Sequence, residues 1–362
     1  MSVVKTISAL NQSKPWDSHN QKLICSMVLQ DSHDVKTFCF QTTDQAWFLY
    51  LPGQFITLEL EIDGKVVHGT YTISSSPSRP LSITITVKAT KDGYVSKWLH
   101  ENMKEGMEVK AYGPAGIFTL HNHLADKYLF LAGGVGITPL MSMTRWLFDY
   151  GMHTDVSFIQ SCQTPSDLLF KRELEGMSAR VSDFKLSYIC ERPDEYGAWT
   201  GYTGRLNQLM LELICPDYME REIFCCGPEP YMQAVRDILN SAGYDMDRYH
   251  EESFSAPVAS EEEAPEHDDV IIDESNKATV SFIKSDKEVK IQESETILAA
   301  AKEAGLHIPN ACQFGVCGTC KVKKVSGDVH MVHNGGINDA DIEAGYILAC
   351  CSNPLGPVEV EF

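Results

Sequence analysis

Cys312, Cys317 and Cys320 stand in the pattern C-x4-C-x2-C within NACQFGVCGTCK, and a fourth cysteine, Cys350, follows in ILACCSNP. This arrangement constrains the 362-residue chain more than any other feature, because it is the ligand spacing of a 2Fe–2S centre. Two irons and two sulfides need four thiolates, and the negative charge of the assembly must be met by N–H donors. A tight loop carrying Gly315 and Gly318 lets the backbone wrap such a cluster, since glycine tolerates the φ values this requires. Structural zinc ordinarily takes two separate C-x2-C knuckles, and only one is present. A thioredoxin-like dithiol would need Cys317 and Cys320 to open a helix, and would leave Cys312 and Cys350 without a role. Cys351 offers a second candidate for the fourth ligand; the spacing favours Cys350.

The chain is long enough for two or three domains, and its 43% hydrophobic content excludes a wholly disordered protein. A net charge of −20 repels phosphate backbones and anionic lipid, which argues against nucleic acid and membrane as partners and leaves docking onto a basic patch of another protein open. The first two dozen residues hold no apolar core of signal-peptide length. The longest uncharged run, 128–144, is broken by Gly133, Gly134, Gly136 and Pro139, so it reads as strand, turn and helix rather than a span. Twelve cysteines without an export signal point to metal or redox chemistry in the cytoplasm.

The clearest seam is 256–277, where eight acidic residues stand against one lysine beside Pro257 and Pro265. Such a segment repels itself and stays extended, as a linker would. Before it, KLICSMVLQ, TFCFQTT, PGQFITLELEID, HGTYTISS, LSITITVKAT and EVKAYGP are β-branched runs divided by turn residues, which predicts a small antiparallel barrel. A single helix is expected over 95–103. From Lys127 strands alternate with amphipathic helices, the pattern of a parallel α/β sheet. After the seam, ATVSFIK and KEVKIQE predict a hairpin, and SETILAAAKEAG a helix with Ser294 as N-cap and Gly305 as C-cap. The expected division is an N-terminal tail (1–21), an antiparallel β-barrel (22–122), a parallel-sheet α/β domain (123–255), the acidic linker (256–277) and an α+β domain (278–362). His121-x-His123 is expected in a solvated turn.

The segments GLHIPNAC, the cysteine loop, VSGDV and DADIEAGYILACCSNP occur in the order found in plant-type ferredoxins, which the C-terminal part resembles as a β-grasp domain. The part before the linker resembles the ferredoxin–NAD(P)H reductase superfamily. A reductase with a C-terminal ferredoxin resembles both the NADH oxidoreductases of hybrid cluster protein and the reductases of Rieske-type oxygenases. By this resemblance Tyr71, Thr72, Ile73 and Ser74 form the flavin-contacting strand, with Tyr71 against the ring and Thr72 near N5. Relatives carry Arg two residues before that Tyr; here Gly69 stands there, and the flavin phosphate is expected to be met by His68, by Arg79 or by backbone N–H groups in its place.

Val95 and Ser96 open a helix suited to the flavin pyrophosphate, and the loop holding Gly116 and Phe118 resembles one that closes over FAD rather than FMN. Gly134, Gly136, Thr138 and Pro139, in GGVGITP, resemble a nucleotide-binding loop, and Cys226, Gly227 and Pro228, in CGPEPYM, the second nucleotide motif. There the resemblance places Cys226 near the nicotinamide; Cys225 should point the other way on a strand. Glu252 and Phe254 are implied to flank the flavin, and Asp167 and Phe170 to meet the adenosine end. The scarcity of arginine nearby, with Lys171 and Arg172 the candidates, favours NADH over NADPH.

These parts have one coherent use. Thr72, Cys226 and Glu252 would serve hydride transfer from NADH to FAD, and Cys312, Cys317, Cys320 and Cys350 the onward passage of single electrons. The implied acceptor is a redox protein, with hybrid cluster protein first and a Rieske-type oxygenase component second. A redox-sensing module without sustained turnover is the expectation from a different class.

Overall fold

The computed structural model describes residues 14–18, 21–44, 46–91, 93–151, 154–195, 197–254, 277–310, 315, 318–333, 336–337 and 339–362. The expected linker up to residue 276, most of the N-terminal tail, and Cys312 and Cys317 lie outside the described residues. The described backbone gathers into two compact units. One takes the residues up to 54, 71–110 and 118–254; the other takes 55–70, 111–117 and those from 277 on.

All six β-rich runs become strands of one sheet. They are β1 (Leu23–Ser32), β2 (Val35–Thr42), β3 (Phe55–Ile62), β4 (Lys65–Thr72), β5 (Ile83–Lys88) and β6 (Glu108–Ala115). Their order is β4-β3-β6-β1-β2-β5, with β1 antiparallel to β2 and β6, and β2 antiparallel to β5. Just past β4, Ile73 bridges Ile85 of β5 and Ser74 N donates to Thr84 O at 2.8 Å, which closes the sheet into a barrel and removes its open edges. Leu23 and Cys25, Phe38 and Phe40, and Ile83 and Ile85 are fully buried, each pair at alternate positions of one strand. The expected helix forms as α1 (Tyr94–Asn102). Trp16, assigned from sequence to a tail, pairs its backbone N–H with Trp47 O at 2.8 Å and packs its ring on Phe48, because burying an indole outweighs leaving it in water.

The second sheet is parallel, built from β7 (Lys127–Gly133), β8 (Asp155–Cys162), β9 (Phe184–Cys190), β10 (Tyr202–Thr203), β11 (Glu222–Cys226) and β12 (Tyr249–Glu252) in the order β10-β9-β8-β7-β11-β12. Helices α2 (Ile137–Asp149), α3 (Lys171–Ser178), α4 (Gln208–Ile214) and α5 (Glu229–Ala242) connect the strands. From β7 the chain builds outward to β10 and then returns to the other side of β7 with β11. The β7/β11 boundary is therefore the switch point, where ligands of such sheets bind beyond the carboxyl ends of the strands. His123, expected in a solvated turn, is half-buried and stacks on His250, since its ring gains Phe224 and His250 as neighbours that the local sequence does not show.

Arg221 is fully buried just before β11. Its guanidinium grips Asp217 through Nε and Nη2 at 2.8 and 2.9 Å, while Nη1 reaches Asp155 Oδ1 at 2.9 Å and Tyr128 O at 3.1 Å. These hydrogen bonds hold the Asp217 carboxyl far below its ordinary range. Lysine keeps the charge but not the fork. Arg221→Lys is expected to cost about 2 kcal/mol in urea unfolding, and a change below about 0.5 kcal/mol would show that the fork carries no stability.

In the C-terminal domain β13 (Lys277–Phe282), β14 (Lys287–Gln292), β15 (Lys321–Met331), β16 (Tyr346–Leu348) and β17 (Ser352–Glu361) form a mixed sheet of order β14-β13-β17-β15-β16. The hairpin β13/β14 turns through Asp286 at φ 48°. Helix α6 (Ile297–Glu303) packs Ile297, Ala300 and Ala301 into the core; α7 (Asp339–Glu343) precedes β16. The N-cap of α6 is Thr296 rather than Ser294: its hydroxyl accepts from Ala299 N at 3.3 Å, two residues nearer the apolar run. Gly305 follows the helix at φ +67°, as the C-terminal signal predicts. Among the described residues no helix is long and apolar enough to cross a membrane.

Candidate functional site

The carboxyl ends of β7 and β11 carry the two glycine-bearing motifs. Cys226 is register partner to Ala132 of β7 on one side and to Glu252 of β12 on the other. The loops interlock closely. A Cβ on Gly136 would stand 2.3 Å from the Cys226 carbonyl oxygen, and one on Gly227 would stand 3.0 Å from Gly133 Cα. Gly134 has φ +54° and open space around it. Beside these loops lies a cavity of about 380 Å³, lined among others by Gly133, Gly134, Pro228, Tyr231, Cys162 and Asp167. Pro228 caps α5, so the positive end of the helix dipole faces the cavity, which suits a pyrophosphate. A glycine cradle, a helix start and an adjoining cavity together fit a dinucleotide.

Thr138 is buried and donates its hydroxyl to Val135 O at 3.2 Å, so its side chain fastens the loop; Pro139 is buried within the first turn of α2. Asp167 Oδ2 accepts from Thr164 N and Oγ1, both at 2.9 Å, which fixes the carboxylate at the cavity. Phe170 starts α3 at φ 53°, beneath the Arg145 guanidinium at 4.8 Å, and is not among the cavity residues. Of the two cations considered for a 2′-phosphate, Lys171 lies over the Tyr188 ring. Arg205, which no motif announced, lines the cavity and pairs with Glu191 at 3.1 Å.

On the flavin side the three residues expected to serve hydride transfer come together. Thr72 Oγ1 donates to Glu252 Oε2 at 3.3 Å, and Glu252 neighbours Cys226 across the β11/β12 ladder. Cys226 packs with Phe118 and Phe224, whereas Cys225 belongs to the cluster on the opposite face, as strand alternation predicts. Burial, reinforced by the nearby Glu252 carboxyl, raises the Cys226 thiol well above its usual range, so it stays neutral and is a packing surface rather than a nucleophile. Tyr71 is half-buried and Phe254 exposed. Ile73 and Ser74 face inward: Ser74 Oγ meets Thr84 Oγ1 at 2.8 Å and Thr86 Oγ1 at 3.0 Å.

Arg145, a basic residue of an apolar helix that no motif marks, donates to Ser74 O at 2.6 Å and forks onto Glu173. Val95 and Ser96 are half-buried in the first turn of α1, with Ser96 Oγ 3.4 Å from Thr90 Oγ1. Gly116 has φ +119°, while Phe118 is buried edge-on to Phe224. The two cations considered in place of an arginine at Gly69 have other partners. Arg79 binds Asp149 at 2.7 and 3.0 Å, and His68 is buried 3.5 Å from Glu59.

Burial pushes the Glu252 carboxyl up to about 8, against the opposing pull of the Thr72 hydroxyl. The folded chain then holds this proton more tightly than the unfolded one. The associated stability is complete below about pH 4.5 and is lost as pH rises through about 8. Glu252→Gln is expected to retain about 1 kcal/mol more of its stability than the wild type between about pH 5 and 9; parallel pH profiles in urea unfolding would contradict this.

In the C-terminal domain Cys320 and Cys350 are buried together, with Cys350 N donating to Cys320 Sγ at 3.4 Å. Gly315 and Gly318 have φ +67° and +69°. A Cβ at Gly315 would come within 2.8 Å of Cys351 Sγ, and one at Gly318 within 2.7 Å of Gly336 O. Paired thiols, an amide aimed at sulfur and a cradle that only glycine fits suit a 2Fe–2S cluster, with Cys312 and Cys317 as the remaining implied ligands.

Three family models match: an oxidoreductase FAD-binding domain over residues 25–120, an oxidoreductase NAD-binding domain over 130–237, and a 2Fe–2S iron–sulfur cluster binding domain over 282–355. The glycine betaine monooxygenase reductase subunit of Chromohalobacter salexigens is 51% identical over 358 residues, 97% of each chain. The stachydrine N-demethylase reductase subunit of Rhizobium meliloti is 51% identical over 344 residues, covering 95% of this chain and 97% of its own. The NADH oxidoreductase HCR of Escherichia coli is 31% identical, covering 91% and 94%. Among solved structures, phthalate dioxygenase reductase matches with a TM-score of 0.57 at 22% identity, covering 95% of this chain and 98% of that one. The chain belongs to the family of iron–sulfur flavoprotein oxidoreductases that join an FAD-binding barrel, an NAD-binding α/β domain and a 2Fe–2S ferredoxin domain in one polypeptide.

Proposed function

We propose that this electron-transfer reductase takes hydride from NADH and delivers single electrons to the oxygenase component of a system that oxidises an N-methylated betaine. The observation that carries the reading is the full-length similarity, at 51% identity, to reductase subunits of glycine betaine monooxygenase and stachydrine N-demethylase. It favours the oxygenase acceptor over hybrid cluster protein, the acceptor first expected from the order of the domains. A bound flavin supplies the step from two-electron to one-electron chemistry. The chain's residues do the rest. The loops of Gly134, Gly136 and Gly227 let a pyrophosphate approach the backbone, Cys226 offers a small neutral surface to the nicotinamide, and Thr72 with Glu252 holds a proton at the end of β12. Around the cavity Lys88 is paired with Asp34 and Arg205 with Glu191, while Asp167 adds a further negative charge, an arrangement that disfavours a 2′-phosphate and supports NADH over NADPH.

The experiment is reconstitution with the glycine betaine oxygenase component of a relative, NADH and oxygen. Formaldehyde release and NADH oxidation should both depend on this chain. NADH oxidation that persists without betaine turnover, together with equal or faster reduction of hybrid cluster protein, would reverse the preference. Sustained reduction of ferricyanide by NADH separates the reductase from a sensing module, which would stop after a single turnover.

A further inference from the structure

At the end of the parallel sheet opposite Cys226 and Glu252, three side chains from separate segments converge: His123 before β7, Glu222 at the start of β11 and His250 in β12. We propose that they form a binding site for a divalent metal ion of zinc type, distinct from the iron–sulfur centre. One potential ligand atom of each residue lies within 4.8 Å of the other two. His250 Nε2 is already 2.6 Å from Glu222 Oε1, and the His123 and His250 rings stack with centroids 3.5 Å apart and planes at 25°. Two imidazoles and one carboxylate are the donor set of open zinc sites, with the fourth position left to water.

The surroundings favour ligation. Arg248 Nε donates to Glu222 Oε2 at 3.3 Å and is itself tied to Met219 O and Glu220 O, so the carboxylate is held from behind while Oε1 faces the imidazoles. Such outer partners orient metal ligands. Phe224 closes the site from below, with its ring 6.0 Å from His123 and 4.9 Å from His250. Binding needs no redox step. The ion takes the place of the proton between His250 Nε2 and Glu222 Oε1, that proton passing to His250 Nδ1 or to solvent, and rotation of the stacked rings brings their nitrogens to bonding distance, about 2.0–2.1 Å from the ion. Glu222 lies about 13 Å along β11 from Cys226 and His250 about 7 Å along β12 from Glu252, so the effect of the site is to fasten the segment before β7 to β11 and β12 rather than to take part in hydride transfer.

The test uses tag-free holoenzyme with its cluster intact, zinc titration against a chromogenic chelator, and X-ray absorption at the zinc edge. The expected result is one zinc per chain with a nitrogen and oxygen shell. Binding should weaken about 30-fold or more in His123→Ala and His250→Ala and about tenfold in Glu222→Gln, with ferricyanide reduction unchanged. His123→Asn and His250→Asn, which keep a polar group of similar size, should weaken binding equally if the alanine variants fold poorly. A sulfur-dominated shell, or zinc held as tightly by the variants as by the wild type, overturns the proposal.

Discussion

Replacing Cys350 with serine is expected to abolish reduction of cytochrome c by NADH, by about 100-fold or more, while ferricyanide reduction keeps at least about half its rate. Cys350 is buried against Cys320, and its own N–H points at the Cys320 sulfur, so both thiol and amide belong to the implied cluster pocket. A hydroxyl is a poor substitute for a thiolate on iron, so the cluster should be lost or severely weakened. Ferricyanide accepts electrons from the flavin directly; cytochrome c reports the route through the cluster. Cys351→Ser is the matched control. Cys351 is more exposed than Cys350, its Sγ lies 3.7 Å from Leu348 O, and its loss should leave both activities within about twofold of wild type. Reversed results would make Cys351 the fourth ligand, the alternative that spacing alone leaves open.

The second large effect is expected at Gly136. Its Cβ position lies 2.3 Å from Cys226 O and 2.5 Å from Gly227 N, both backbone atoms that cannot yield like a flexible side chain. Gly136→Val must therefore push the GGVG loop away from β11, opening the contact that aligns the two nucleotide motifs. The expected cost exceeds about 3 kcal/mol of stability, with NADH-dependent ferricyanide reduction lost. Gly134→Ala is the comparison: nothing lies within 4 Å of its Cβ, and the φ of +54° costs only about 1 kcal/mol. Equal effects at the two positions would show that general loop strain, rather than close approach to Cys226, governs this site.

Much of this arrangement is legible in the sequence because it rests on local patterns. The barrel strands announce themselves by β-branched residues between turn residues, and α1 begins within one residue of its expected start. The two nucleotide motifs are recognisable because close backbone approach demands glycine, and the structure places them on neighbouring strands at the switch point. The opposed faces of Cys225 and Cys226 follow from strand periodicity alone.

What stays hidden depends on partners distant in the chain. Arg145 gains its role from Ser74, 71 residues away, and Arg205 from a cavity that several strand ends build together. The short edge strand β12 forms only because β11 offers it a ladder, and it carries both Glu252 and His250. His123 looks like a solvent-facing residue of a polar turn until His250 and Glu222 are brought to it. Ser294 and Thr296 are both acceptable caps, and the burial of Ile297 decides between them.

The central claim is that this chain carries electrons from NADH through a flavin to a 2Fe–2S cluster. Anaerobic titration with NADH, followed by the visible spectrum of protein assayed for flavin, iron and labile sulfide, tests it most directly. A chain with both groups should take up about 1.5 NADH, two electrons on the flavin and one on the cluster, with both absorption bands bleached. An endpoint at about one NADH with the cluster absorption unchanged, or protein lacking iron and labile sulfide, would contradict it.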